Sequence, residues 1–400
     1  MAIKKVKIGL FGYGVVGHGL YDLVANKKSV NAEIAKICVL QKEKRRDLPK
    51  ELFSFDKYDL LDDPEIDLIV ELIDDAVAAY EIVCYALKNG KNVVSANKKM
   101  IAEHMEELYL LQKEYGTNLL YEGSSCGSIP VIRTLEEYYD NELLYSVSGV
   151  FNSSTNYVLT KLFNEDYDFD IALKQAQDLG FVESNPSLDI DGWDALFKLV
   201  ILSTHAYGVF VKPTNVLKHG IQNICRYDIQ YAKEKGYRIK QFSIAKKISD
   251  DQIIMFVMPA FFESNDYLYW NDYEDNSVIV EAAFSDKQYF QGKGAGGHPT
   301  GSAVLSDISA NSYNYRYEYK KREKRKDLVY STDIEIEVYF RYYNDKNLEH
   351  FNFEKISARY TSKEFNYVIG RIKLSELLAK NDRLNMADVL CVFTGKIFND

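Results

Sequence analysis

VKIGLFGYGVVG (residues 6–17) sets an apolar strand directly before Gly12-x-Gly14-x-x-Gly17, and the residues after it have helical spacing. A dinucleotide pyrophosphate needs close backbone approach and the free amide groups of a helix amino terminus; side chains at the first two glycines would obstruct both. A glycine pattern of this kind is weak evidence alone, since a tight turn with no ligand gives the same letters. Its place between strand and helix gives it meaning. Gly12, Gly14, Val15, Val16 and Gly17 are therefore the expected cofactor contacts.

Outward from this turn, the first 122 residues alternate short β-branched runs with amphipathic ones, the pattern of a parallel sheet covered by helices. Strands are expected at 6–11, 33–40, 67–72, 92–95 and 118–122, with helices at 16–24, 76–87 and 101–114. The expected architecture is α/β, with a doubly wound, Rossmann-type cofactor domain over 1–130. Residues 131–312 read as an α+β catalytic and dimerisation domain, 313–330 as a basic connector, and 331–400 as a small α+β module. In that last module no first helix is evident between Asn344 and Ser357. A ribose-binding acid should end the second strand about 20 residues past the glycines. Here Leu40-Gln41-Lys42-Glu43-Lys44-Arg45-Arg46 offers no acid at the tip and a group of cations beyond it, so NADP is favoured, with NAD possible.

The formal charge of −10, from 49 cations and 59 anions, argues against a broad nucleic-acid footprint. The basic run KKREKRK (320–326) is expected to be solvated. The amino terminus is unlike a signal peptide, and no stretch approaches the roughly 18 apolar residues of a membrane span. Five cysteines lie scattered without a C-x-x-C pair, which fits a reducing cytoplasm. Gly123-Ser124-Ser125-Cys126-Gly127 satisfies the G-x-S-x-G of a serine hydrolase, with Asp194 and His205 as triad partners by order alone. That rival leaves the amino-terminal glycine turn unexplained. Asp194 and Lys198 stand four apart, on one face of an expected helix, with Glu183 on the loop upstream. Taken alone they would be a surface ion pair.

Seven collinear stretches change that weighting. GLFGYGVVG, DLIVEL, GKNVVSANKKMIA, YEGSSCGSIPVI, GVFNSSTNYVLTKL, AQDLGFVESNPSLDIDGWDALFKLVI and GKGAGGHPTGSAVLSDI together resemble the motifs of homoserine dehydrogenase, from about residue 5 to 310. No kinase-like segment precedes residue 5, so the resemblance is to the monofunctional form. It implies NAD(P)H-dependent reduction of L-aspartate 4-semialdehyde to L-homoserine. Lys198 is then the proton donor, Glu183 and Asp194 the substrate acids, and Lys98 a cofactor contact that assists proton transfer. The loop of Glu122, Ser125, Gly127 and Ile129 aligns with one that holds a structural sodium ion through backbone carbonyls, and Gly294 falls where the chain returns to the cofactor. A homodimer or homotetramer acting on a small amino-acid substrate is also implied, with no nucleic acid and no membrane.

The residue types suit that chemistry. A hydride arriving at an aldehyde carbon leaves an alkoxide, and a positioned ammonium can protonate it. The substrate's own α-ammonium calls for carboxylates. Two departures stand out. Asp74-Asp75 replace two glycines usual in the family, which raises the alternative of a degenerate member that binds nucleotide or a partner without turnover. The tail resembles a shortened, tyrosine-rich ACT-type regulatory module. Trp193 is expected to be core packing, Lys99 solvated, and His298 a loop residue.

Overall fold

The computed structural model describes residues 5–26, 30–140, 143–182, 185–324 and 327–399. Its contacts divide the chain into two compact units, Met1–Tyr138 with Lys293–Lys320, and Tyr139–Gly292 with Lys321–Asp400. Among the described residues no helix is long and apolar enough to cross a membrane.

The first unit contains β1 (Val6–Phe11), α1 (Val15–Asn26), β2 (Ala32–Cys38), β3 (Phe53–Ser54), α2 (Tyr58–Leu61), β4 (Leu68–Glu71), α3 (Ala76–Lys88), β5 (Asn92–Ser95), α4 (Lys98–Tyr115) and β6 (Leu119–Leu120). The strands are parallel, in the order β3-β2-β1-β4-β5-β6. Strands covered on both faces are mostly apolar, which is why β1 and β4 read as hydrophobic runs interrupted only by Lys7 and Glu71: Ile8, Leu10, Leu68, Ile69 and Val70 are fully buried. The order reverses between β1 and β4, and that switch point opens a crevice at the carboxyl ends of the strands. Asp75 caps α3 by accepting from the amides of Val77 (2.9 Å) and Ala78 (3.1 Å). Asn97 caps α4 at Met100 (3.0 Å), and Gly116, at φ 64°, closes it.

A helix absent from the sequence expectation, Gly297–Ser312, packs along α1 in the same unit. A Cβ at Gly19 would lie 2.2 Å from the carbonyl oxygen of Gly297, so the two backbones approach as only glycine permits. His298, expected in a loop, lies in the first turn of this helix, exposed, with Asp22 3.6 Å away.

The second unit is built on a mixed sheet. Its strands are β7 (Leu144–Val150), β8 (Leu217–Lys218), β9 (Arg238–Lys247), β10 (Gln252–Phe262), β11 (Asp275–Ala282), β12 (Asp286–Lys293), β13 (Val329–Tyr330), β14 (Glu335–Tyr342), β15 (Phe353–Thr361), β16 (Asn366–Lys373) and β17 (Val389–Phe398). The main path runs β12-β11-β7-β9-β10-β17-β14-β16-β15. The carboxy-terminal strands thus continue the central sheet, through a parallel contact between Ala260 and Phe393. From β14 to β17 the order is strand, helix, strand, strand, two short helices, strand. The first of those helices, Asp345–Glu349, is a single turn capped by Asn344, too short to show periodicity in the sequence.

Helices Ser153–Asn164, Phe169–Asp178 and Trp193–Tyr207 belong to this unit, and the last is buried along almost its whole length. Arg341 is buried against Asp228 (2.9 and 3.1 Å) and the carbonyl of Asn223 (2.6 Å), which ties β14 to the first turn of helix Arg226–Lys235 and to the loop before it. The basic run departs from expectation at Lys321. Its amine is buried and donates to the carbonyl of His205 (3.0 Å), capping the end of Trp193–Tyr207 instead of meeting solvent.

Candidate active site

In the first unit the three glycines serve different ends. Gly12 has φ +93°, and a Cβ there would sit 2.6 Å from the carbonyl oxygen of Leu72; a Cβ on Gly17 would meet the Gly12 carbonyl at 2.5 Å. Those two glycines close the turn. Gly14 has no atom within 4 Å of where a Cβ would stand, so the turn leaves an open cradle at the amino terminus of α1. That open space beside unsatisfied helix amides is the fit a pyrophosphate requires. Val15, Leu40 and Val77, each just past a strand end at the same edge, are large apolar side chains left exposed.

Beyond β2, residues 41–45 are exposed. Arg46 is folded back, donating to the carbonyls of Gln41 (2.7 Å) and Lys44 (2.9 Å) and standing over Phe53. It shapes the turn, and Lys42, Lys44 and Arg45 present the positive surface. The Asp74-Asp75 pair also has a local reason: both are exposed, and Asp75 is the cap of α3.

Lys98 is the first residue of α4 and half-buried; its neighbour Lys99 is exposed, as expected. Beneath this turn lies Glu71, a fully buried carboxylate that sequence reading passed over as part of an apolar strand. It accepts from Ser95 Oγ (2.6 Å) and from the amide of Ile73 (2.7 Å). Burial pushes its pKa up to about 7, opposed by those two hydrogen bonds and aided by the nearby charge of Asp74.

Gly127 abuts the returning segment that carries Gly294: a Cβ on Gly127 would lie 2.4 Å from the Lys293 carbonyl, and the Ser128 amide donates to that same carbonyl (3.0 Å). Cys126 and Gly127 are both left-handed, at φ 55° and 57°. The Glu122 carboxylate accepts from the amides of Ile132 (2.8 Å) and Arg133 (2.9 Å), while Asp307 accepts from the Glu122 amide (2.7 Å). Burial and the charge of Glu122 hold the Asp307 carboxyl well above the usual range. Ser125 is fully buried and its hydroxyl has no hydrogen-bond partner among the described residues, so the G-x-S-x-G reading fails: none of those residues is a base that activates it.

In the second unit, Gly192 at φ +87° starts helix Trp193–Tyr207, and its first turns carry Asp194 and Lys198. The two side chains are only 6 % and 8 % exposed, not the surface pair that spacing alone suggests. Lys198 Nζ donates to Asp194 Oδ2 (2.7 Å) and to the carbonyl of Phe151 (2.7 Å). Asn152 Nδ2 donates to Asp194 Oδ2 (2.8 Å) and to Asp189 Oδ1 (2.7 Å), bringing a second carboxylate to the cluster. Asn276 Nδ2 also donates to the Phe151 carbonyl (2.9 Å). Trp193 is half-buried; it stacks on Phe197 and carries the Lys218 amine 4.5 Å from its ring centroid.

Lys198 and Asp194 are thus brought together, as are the glycine turn and the Gly294 segment with their own neighbours. Glu183 lies outside the described residues. Asn152, Asp189 and Asn276 were missed. Asn152 had a legible signal as the cap of Ser153–Asn164, accepting from Thr155 (2.8 Å), but its contacts with Asp189 and Asp194 span 37 and 42 residues and leave no local trace.

Comparison with known proteins agrees with this layout. A family model described as homoserine dehydrogenase matches residues 130–309, and one described as homoserine dehydrogenase, NAD binding domain, matches 12–122. Homoserine dehydrogenase of Bacillus subtilis is 34 % identical over 323 residues, covering 78 % of this chain and 74 % of its own. A crystal structure of a homoserine dehydrogenase from Thiobacillus denitrificans superposes with a TM-score of 0.84 at 27 % identity, covering 98 % of both chains. A hyperthermophilic archaeal homoserine dehydrogenase mutant in complex with NADPH gives 0.67 at 25 % identity, over 78 % of this chain and 99 % of that one.

Proposed function

Since the chain belongs to the homoserine dehydrogenase family, oxidoreductases that act on a CH–OH group with NAD(P), we propose that it reduces L-aspartate 4-semialdehyde to L-homoserine with Lys198 as the proton donor. The observation that carries this reading is the buried Lys198 amine, oriented by Asp194 and the Phe151 carbonyl. The reduced nicotinamide supplies a hydride when bound. Lys198 gives one proton to the alkoxide oxygen that results, and solvent restores that proton. Asp194 fixes the direction of the Lys198 amine, and Asn152 holds Asp194 in place. Asp194, Asp189 and Glu183 supply the carboxylates that a substrate α-ammonium requires.

Gly12, Gly14, Val15, Val16, Gly17 and Gly294 would hold the cofactor, with Lys98 beside it. The exposed cations after β2 support NADP over NAD. Glu122, Ser125, Gly127 and Ile129 would hold a sodium ion through main-chain carbonyls. Two buried acids, Glu122 and Asp307, face the partly buried Arg133, and the carboxyl of Asp307 lies well above its usual range, so a nearby monovalent cation would offset excess negative charge. The strand–helix–strand–strand–helix–helix–strand order of the tail supports reading 331–400 as an ACT-like module, and five cysteines with no disulfide among the described residues support a cytoplasmic setting.

Mixing the protein with NADPH and aspartate semialdehyde should consume NADPH and form homoserine in equal amounts. Binding of NADPH without either change would support the degenerate alternative instead.

A further inference from the structure

Four hydrogen bonds in the first unit close a ring between the turns that follow β4 and β5. Ser95 Oγ donates to Glu71 Oε2 (2.6 Å), and the Asn97 amide donates to Ser95 Oγ (3.1 Å). Asn97 Nδ2 donates to the Ile73 carbonyl (3.0 Å), and the Ile73 amide returns to Glu71 Oε1 (2.7 Å). Asn97 Oδ1 meanwhile caps α4. Glu71 and Ser95 are both wholly buried, so water cannot substitute for a lost member. Strand pairing already joins β4 to β5, and the Ala96 amide reaches the Glu71 carbonyl (3.3 Å). A buried carboxylate is therefore not needed to hold the strands together, and a buried charge is costly. What the ring adds is a fixed path for the backbone entering α4.

We propose that Glu71 is a positioning residue: its carboxylate, acting through Ser95 and Asn97, fixes the turn from which Lys98 departs and locks that turn to the loop carrying Ile73. The inference rests on the reading of Lys98 as a cofactor and proton-transfer contact. A carboxylate matches its surroundings, because both groups facing it, the Ser95 hydroxyl and the Ile73 amide, are donors. A glutamine would replace one acceptor oxygen with an N–H donor, so the Ser95 hydroxyl would have to turn its own proton away from residue 71. Burial pushes the Glu71 carboxyl up to about 7, the hydrogen bonds from Ser95 and Ile73 oppose that rise, and Asp74 is the charged neighbour that adds to it.

The test is a double-mutant cycle on the whole protein, with kcat, KM and the NADPH dissociation constant measured for Glu71→Gln, Ser95→Ala, Lys98→Ala and the two doubles with Lys98→Ala. Expected are falls in kcat of about tenfold or more for Glu71→Gln and Ser95→Ala, since small misplacements near reacting atoms are costly. KM for the semialdehyde should change less than threefold, and neither change should lower kcat further once Lys98 is alanine. Ser95→Ala, which only removes an oxygen, guards against Glu71→Gln failing to fold. Wild-type kcat in both Glu71→Gln and Ser95→Ala, or full additivity with Lys98→Ala, overturns the proposal. Wild-type kcat in Lys98→Ala overturns the reading of Lys98 itself, and with it this inference.

Discussion

At the residue scale, acids that sequence spacing presents as ordinary turn out to be the informative ones. Asp194 is placed by Asn152, which also holds Asp189, so Asn152→Ala would leave two carboxylates without their shared donor. Its predicted cost is about 10- to 100-fold in kcat/KM, together with roughly 1 kcal/mol of stability from the lost cap of Ser153–Asn164. Steady-state kinetics and denaturant melts read the two effects separately. Glu71 carries a stability prediction with a definite sign. Its pKa in the fold, about 7, lies above the ordinary value of 4.5, so the folded state holds the proton more tightly than the unfolded chain. Stability from this group is present below pH 4.5 and is lost as pH rises through 7, by up to roughly 3 kcal/mol. Glu71→Gln has no such loss, so its melting temperature relative to wild type should climb between pH 5 and 8. A constant difference across that range would contradict the assignment.

At the element scale, Asp75 is read as a helix cap and not as a threat to the cofactor. Asp75→Ala should lower stability by about 1 kcal/mol and leave the NADPH dissociation constant within twofold; a tenfold change in that constant would place Asp75 against the cofactor instead. The same scale shows what could be read from sequence. β1, the glycine turn and α1 were legible because a strand buried on both faces followed by a capped turn leaves a local signature. β15 was not: FEKISARYT lies on the sheet edge, almost wholly exposed, so no face is selected for apolar residues. Helix Gly297–Ser312 was hidden by the small residues that let it approach α1. The buried state of Lys321 was masked by the six cations and single acid of its run, which read as solvated.

At the scale of the whole molecule, each unit holds a different part of the candidate chemistry. The glycine turn, Lys98 and the Glu71 ring belong to the unit of Met1–Tyr138 and Lys293–Lys320, and Asp194 with Lys198 to the other. The site was legible where contacts are four residues apart, as for Asp194 and Lys198, and illegible where they close over long stretches of chain. The tail is integral to the second unit, since β17 lies between β10 and β14. Arg341→Ala would leave Asp228 buried without its charge partner, and should cost about 3 to 5 kcal/mol in urea unfolding; a loss below about 1 kcal/mol would show that the pair does not anchor β14.

The most direct measurement on the central claim is kcat for Lys198→Ala in the reduction of aspartate semialdehyde, taken with its NADPH dissociation constant. With Lys198 as proton donor, kcat should fall about 10²- to 10⁴-fold while NADPH binding stays within twofold. Wild-type kcat in that variant would contradict the account.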